Sequence, residues 1–185
     1  KQTRKHPNLP GMTIPDSIVF AADLEAACVA KDLVVFAVPS VFVRQTAQNA
    51  RAYLPNGQII ADLAKGIEPD TLMTLTEVIR SVLQQDGRHD AIRLVALSGP
   101  THAEEVALQL PTTIVSASVD KQAAEFVQQV FTNETMRVYT SSDVKGVEVS
   151  GALKNIIALA AGISTGLGYG ANLKAAIITR GLAEI

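Results

Sequence analysis

Cysteine occurs once in the chain, at Cys28, which excludes an internal disulfide and leaves no partner at zinc-ligand spacing. A reducing, cytoplasmic setting is the expectation that follows. Charge of one sign is also missing. The formal net charge is −2 and no dense basic run is present, so nothing offers a stripe that would track nucleic-acid phosphates. The longest apolar stretch, Ile156–Ile163, lies between Lys154 and Gly166 and is too short to span a bilayer, and no secretory signal is legible at the start. What is there is apolar material, 48% of 185 residues, enough for one good core and part of a second unit. The first residue is Lys1 rather than methionine, and the closing GLAEI stops inside a helical pattern, which suggests a piece of a longer protein.

After a turn-rich opening with three prolines, residues 6–16, the pattern alternates. SIVF (17–20) reads as a short strand and DLEAACVAK (23–31) as a helix with Asp23 at its N-cap. DLVVFAVP (32–39) is a continuous apolar run, the mark of a strand buried on both faces. A helix is expected from Ser40 to about Tyr53, a strand at QIIADLAKG (58–66) and a helix from about Asp70 to Gln85. IRLVALSGP (92–100) is a further strand, THAEEVAL (101–108) a short helix, TTIVSAS (112–118) a strand, DKQAAEFVQQVF (120–131) a helix and MRVYTS (136–141) a last strand. From Asp143 only helix is readable. Strands alternating with helices at this spacing predict βαβ units: a truncated Rossmann-type α/β parallel sheet over 1–142, then the start of an all-helical domain over 143–185. Such sheets bind ligands beyond the carboxyl ends of their strands.

Three strands end unusually there. AVPS (37–40) and the following Phe42 offer an aromatic and backbone ledge beside a flat cofactor, or simply a strand end with Phe42 packing into the core. AKG (64–66) sets Lys65 at a strand mouth, followed by a glycine that lets the backbone turn sharply. SGPTHAEE (98–105) leaves the N–H groups of Thr101, His102 and Ala103 near a helix start, where anions are favoured. His102 has no neighbouring ligand type and reads as structural, so no metal is expected. GLGYG (166–170) imitates a phosphate loop, but a helix precedes it where the dinucleotide fingerprint needs a strand; it reads as a link between helices.

GALKNIIALAAG (151–162) carries one charge in an otherwise small or apolar helical run. On the face of Lys154 lie Ser150, Gly151, Ile157, Ala158 and, one turn on, Ala161, a strip with little bulk where another molecule can come close. Tight helix packing explains the same strip, and a lone helical lysine is often just solvated.

VFAVPS, AKGIE, LSGPTHAEE, LPTTIV, GALKNIIALAAGI and GLGYGANLKAAIITRGLAEI, in this order, resemble the bacterial NAD(P)-dependent glycerol-3-phosphate dehydrogenases over essentially the whole chain. The resemblance implies interconversion of sn-glycerol 3-phosphate and dihydroxyacetone phosphate with NAD or NADP, at the entry to glycerophospholipid synthesis. It implies Lys154 as proton acceptor. Lys65 would touch cofactor and substrate, Gly99, Thr101 and Asn155 would hold substrate, and Phe42 and Ala103 would lie by the cofactor. The family's opening strand and G-x-G-x-x-G turn are not found in this sequence, nor are its later aspartate and Ser-Arg-Asn cluster, so the chain corresponds to the middle of the enzyme and activity of this stretch alone is not expected.

Removing the proton of a secondary alcohol calls for a base, and an ordinary lysine, near ~10.4, is too weakly dissociated at neutral pH. Desolvation on the apolar helix, with Lys65 as a second nearby cation, is expected to bring Lys154 down. Two alternatives stay open: a hydroxy-acid dehydrogenase of a related Rossmann-plus-helical family, and a non-catalytic nucleotide-binding module. The apolar final helices (175–185) need covering by further chain or by a second copy, so a homodimer is one expectation.

Overall fold

The computed structural model describes residues 4–6, 8–9 and 11–185. Pro7 and Pro10 of the expected turn-rich opening lie outside these. The elements are α1 (Leu24–Cys28), β1 (Val34–Phe36), a 3-10 turn (Ser40–Phe42) leading into α2 (Val43–Ala50), β2 (Ile59–Asp62), α3 (Leu75–Leu83), β3 (Arg93–Ser98), α4 (Ala103–Ala107), β4 (Thr112–Ala117), α5 (Lys121–Phe131), β5 (Met136–Ser141), α6 (Val144–Gly166) and α7 (Ala171–Glu184). Capping starts several of them. Asp23, Asp120 and Asp143 accept hydrogen bonds from the N–H groups of Ala26, Ala123 and Gly146, satisfying donors the first helical turn leaves free.

The strands form one sheet in the order β1-β2-β3-β4-β5. Its apolar strands feed two cores because successive side chains leave opposite faces. Ile60 and Leu94 pack with Val43, Val78, Ile79 and Val82 of α2 and α3. Ile59, Ala61 and Val95 pack with Ala123 and Val127 of α5 on the other face. This double burial is why the runs read as continuously apolar.

Four expectations need correction. β3 and β4 pair antiparallel, Ala96 opposite Ala117, while the other three pairings are parallel. A parallel crossover must carry the chain back along the length of a strand, about 20 Å for six residues. The 13 residues between Ser98 and Thr112 include only one short helix, the five-residue α4, and the chain re-enters the sheet from the end at which it left. SIVF forms no strand; among the described residues nothing pairs with it, and Arg4 instead stacks over Phe20, 5.4 Å from the ring centroid. β1 is an edge strand, with Val34 and Phe36 buried but Val35 40% exposed, so burial on both faces does not hold there. α3 begins at Leu75 rather than near Asp70, because Thr74 and Glu77 build a reciprocal capping box.

α6 is longer than the run Ile156–Ile163 indicated: at 23 residues, with an 18-residue stretch of mean hydropathy 1.3, it is long and apolar enough to cross a membrane. It packs on β3, β4 and α7, and it carries Glu148 and Lys154. As the sequence indicated, residues 167–170 link α6 to α7. Leu182, Ile178 and Ile185 of α7 and the chain end are exposed, as are Ile156, Leu159 and Ile163 of α6.

Candidate functional site

Because β1, β2 and β3 are mutually parallel, their carboxyl ends deliver AVPS, LAKG and SGPT to one edge of the sheet. The loops touch. Gly66, at φ +151, lies against Ser40, where a Cβ would come within 3.0 Å of the serine Cβ. Glycine is required both by that backbone conformation and by that approach. Lys65 is half-buried, and its Nζ donates to Thr101 Oγ1 at 3.0 Å, joining the second loop to the third. Gly99 is pressed on β4: a Cβ would meet Thr113 O at 2.7 Å and Ile114 Cα at 2.9 Å.

α6 brings the remaining lysine over this edge. Gly151 touches the end of β3, a Cβ there falling 2.7 Å from Ser98 Oγ. Lys154, one turn on, lines a cavity of about 510 Å³ with Ser98, Gly99, Pro100, Ser150 and Gly151. Its Nζ donates to Asn155 Oδ1 at 3.0 Å. A larger open hollow of about 930 Å³ lies beyond Pro100, between α5 and the starts of β4 and β5, and contains none of these lysines.

The electrostatics differ from the expectation in one respect. Lys154 is exposed rather than half-dry. Lys65 is the more buried of the two, and its pKa is lowered, through burial first and the Lys154 ammonium second. The strip of small residues is in part a packing device, since Gly151 seats α6 on Ser98 and Gly181 of α7 seats against Ile157.

Lys65, Gly99, Thr101 and Lys154 therefore meet at one edge. Phe42 is 57% exposed on the rim rather than in the core, Ala103 is the exposed first residue of α4, and Asn155 is exposed; none of the three lines the cavity, and neither do Lys65 and Thr101, which lie beside it, while Gly99 and Lys154 do line it. The expected N–H cluster is weaker than its sequence suggests: Thr101 N–H is taken by Gly99 O at 3.0 Å, and a five-residue helix has little dipole. His102 is a surface residue beside Glu104, 2.9 Å away.

Two acids were missed. Asp62, 3% exposed at the end of β2, is pushed up to about 7, by burial first and then by Glu148, against the lowering effect of a hydrogen bond from Ala64 N–H. Glu148, 8% exposed, accepts from Thr74 Oγ1 at 2.8 Å, Thr76 N–H at 2.9 Å and Thr76 Oγ1 at 2.5 Å. The available signals were a carboxylate inside the buried run IIADLA and another inside VKGVEVSG.

A nicotinamide cofactor fits what is present at this edge: an exposed aromatic face at Phe42, a cation at Lys65, and glycine where backbones come close. The sheet order, three loops at one edge and the long helix that carries Lys154 over them define a Rossmann-type sheet followed by a helical segment. Two family models match, described as NAD-dependent glycerol-3-phosphate dehydrogenase N-terminus over residues 1–124 and C-terminus over residues 143–185. The chain belongs to the NAD-dependent glycerol-3-phosphate dehydrogenase family.

Glycerol-3-phosphate dehydrogenase (NAD(P)+) 2 of Lactobacillus delbrueckii subsp. bulgaricus is 62% identical over 184 residues, covering 100% of this chain and 55% of that protein. Its counterpart in Agathobacter rectalis is 50% identical over 186 residues, covering 100% of this chain and 54% of that protein. The crystal structure of glycerol-3-phosphate dehydrogenase from Coxiella burnetii superposes with TM-score 0.83 at 34% identity, over 95% of this chain and 52% of that one. The chain thus spans about half the length of the relatives it matches.

Proposed function

We propose that the complete protein is an NAD(P)-dependent oxidoreductase interconverting sn-glycerol 3-phosphate and dihydroxyacetone phosphate, supplying glycerol 3-phosphate for phospholipid synthesis. The observation that carries this reading is the approach of two lysines at the strand ends: Lys65, bonded to Thr101 at 3.0 Å and near enough to feel the Lys154 ammonium, and Lys154, which lines the adjoining cavity with Gly99. The family membership supports it. The bound nicotinamide supplies the hydride acceptor or donor.

The residues of this chain do the rest. In oxidation the Lys154 amine takes the hydroxyl proton at Nζ, and in reduction its ammonium returns a proton to the forming alkoxide. Asn155 Oδ1 accepts from that nitrogen and steadies its direction. Lys65, held low by burial and by Lys154, sets a cation beside the reacting oxygen, and Gly99 and Thr101 hold the substrate next to it. Phe42, Ala103 and Lys65 adjoin the cofactor. Residues 1–142 form the nucleotide-binding part and 143–185 the first helices of the substrate domain. The protein works in the cytoplasm, and the exposed faces of α6 and α7 are covered by further chain or in a homodimer.

In the full-length protein, dihydroxyacetone phosphate should drive oxidation of NADH or NADPH, and Lys154→Ala should lower turnover by ~10² or more. No such oxidation by the unmodified protein, or near-normal turnover in the variant, overturns the reading.

A further inference from the structure

Glu148 stands where a packed helix ordinarily carries an apolar side chain. It is one of three buried residues of α6, with Ala161 and Ser164. Its carboxylate takes three hydrogen bonds from Thr74 and Thr76, which bracket the first residue of α3. Glu77 accepts from Thr74 N–H at 2.9 Å and from Lys145 Nζ at 3.2 Å, so that helix end also has its own cap. Burying a carboxylate is costly even when it is paired, and an apolar residue would seat α6 on the sheet without that cost. Directional bonds supply what apolar packing does not: a fixed rotation and a fixed height of one helix on another.

The consequence reaches Lys154. It lies six residues beyond Glu148, about 9 Å along the helix axis and about 240° around it. A carboxylate held into α3 therefore turns the lysine away from α3, and the lysine does line the cavity. Between the two, Gly151 lies against Ser98, so α6 is registered on β3 as well. Lys65, on the loop leaving β2, responds to the charge of Lys154. Asp62, at the foot of that loop, responds to Glu148.

We propose that Glu148 is a positioning residue: by anchoring α6 on Thr74 and Thr76 it sets where Lys154 stands relative to Lys65 and Thr101. Only the kinetic consequence rests on the proposed dehydrogenase reaction. The geometric one does not.

The test uses the full-length protein with Thr76→Val, which keeps shape and charge, and Glu148→Gln, which keeps shape. The first readout is acetylation of Lys65 by acetic anhydride at several pH values, quantified by peptide mass spectrometry against the exposed Lys121. If Lys154 moves off, Lys65 regains its proton and is labelled more slowly, by about threefold at a given pH. Mere loss of a nearby negative charge in Glu148→Gln acts in the opposite direction, and Thr76→Val changes no charge. The second readout is kinetic: kcat falls about tenfold or more in Glu148→Gln, and less in Thr76→Val, with KM for the reduced nicotinamide nearly unchanged. Folded variants whose Lys65 labelling matches the unmodified protein overturn the proposal, and if Glu148→Gln does not fold, Thr76→Val decides alone. If the unmodified protein fails to turn over dihydroxyacetone phosphate, the function is refuted while the labelling still judges the anchor.

Discussion

Asp62→Asn exchanges a buried carboxyl for an amide of nearly the same size and isolates what burial does to that group. The residue is 3% exposed at the end of β2, with one hydrogen bond, from Ala64 N–H at 3.2 Å. Burial, and secondarily Glu148, raise it from the ordinary 3.8 to about 7. Between those two pH values the folded protein holds a proton that the unfolded chain has released. The unfolded state then binds fewer protons, so stability falls as pH rises from about 4 to about 7 and levels off above. The rise from 3.8 to about 7 corresponds to on the order of 4 kcal/mol. The amide keeps an oxygen to accept from Ala64 N–H and cannot ionise. Urea unfolding followed by far-ultraviolet circular dichroism, at pH values from 4.5 to 8, reads the difference directly. The two proteins should be similar near ~pH 4.5, and the variant should be the more stable at pH 8 by an amount on the order of 3–4 kcal/mol. Other carboxylates titrate in both proteins and cancel in the comparison. Stability curves that run parallel across this range would show that Asp62 ionises freely in the folded state and refute the argument.

Gly99→Ala should cost about 2–3 kcal/mol, because the added Cβ meets backbone atoms of Thr113 and Ile114 that cannot swing aside; thermal unfolding checks it. Glu68 makes a two-pronged pair with Arg44, at 2.6 and 2.8 Å, and accepts from Thr71 Oγ1 at 2.5 Å, which holds it down to about 2. Its folded pKa is depressed, so this contribution is present above about 4.5 and lost as pH falls toward about 2. Glu68→Gln should therefore cost about 1–2 kcal/mol at pH 7 and almost nothing near ~pH 2, measured by denaturant unfolding at both.

Local chemistry decided much of this chain in advance. Asp23, Asp120 and Asp143 start helices because a side-chain oxygen two or three residues before a free N–H needs no distant partner. The runs at 59–62 and 93–98 announce buried strands because both faces of each must meet apolar neighbours. The loops bearing Lys65, Gly99 and Thr101 were legible as strand mouths for the same reason, and Lys154 as an isolated charge on a helix.

Everything that depended on a partner across the molecule was left to the fold. SIVF has strand-forming residues, but among the described residues nothing pairs with it, and a strand exists only through its neighbour's hydrogen bonds. The reversal at β4 lies in its pairing across the sheet, Ala96 opposite Ala117, which no periodicity encodes. Which lysine loses water was likewise a tertiary matter: packing half-buried Lys65 against Thr101 and left Lys154 exposed in the cavity mouth. Glu148 and Asp62 show the rule most clearly, since a carboxylate's cost depends on what surrounds it, and Thr74 and Thr76 are more than 70 residues from Glu148 along the chain. Sequence sets each residue's chemistry and its neighbours within a turn or two; solvent exposure and long-range hydrogen bonds, which give that chemistry its strength, arise only when distant segments pack.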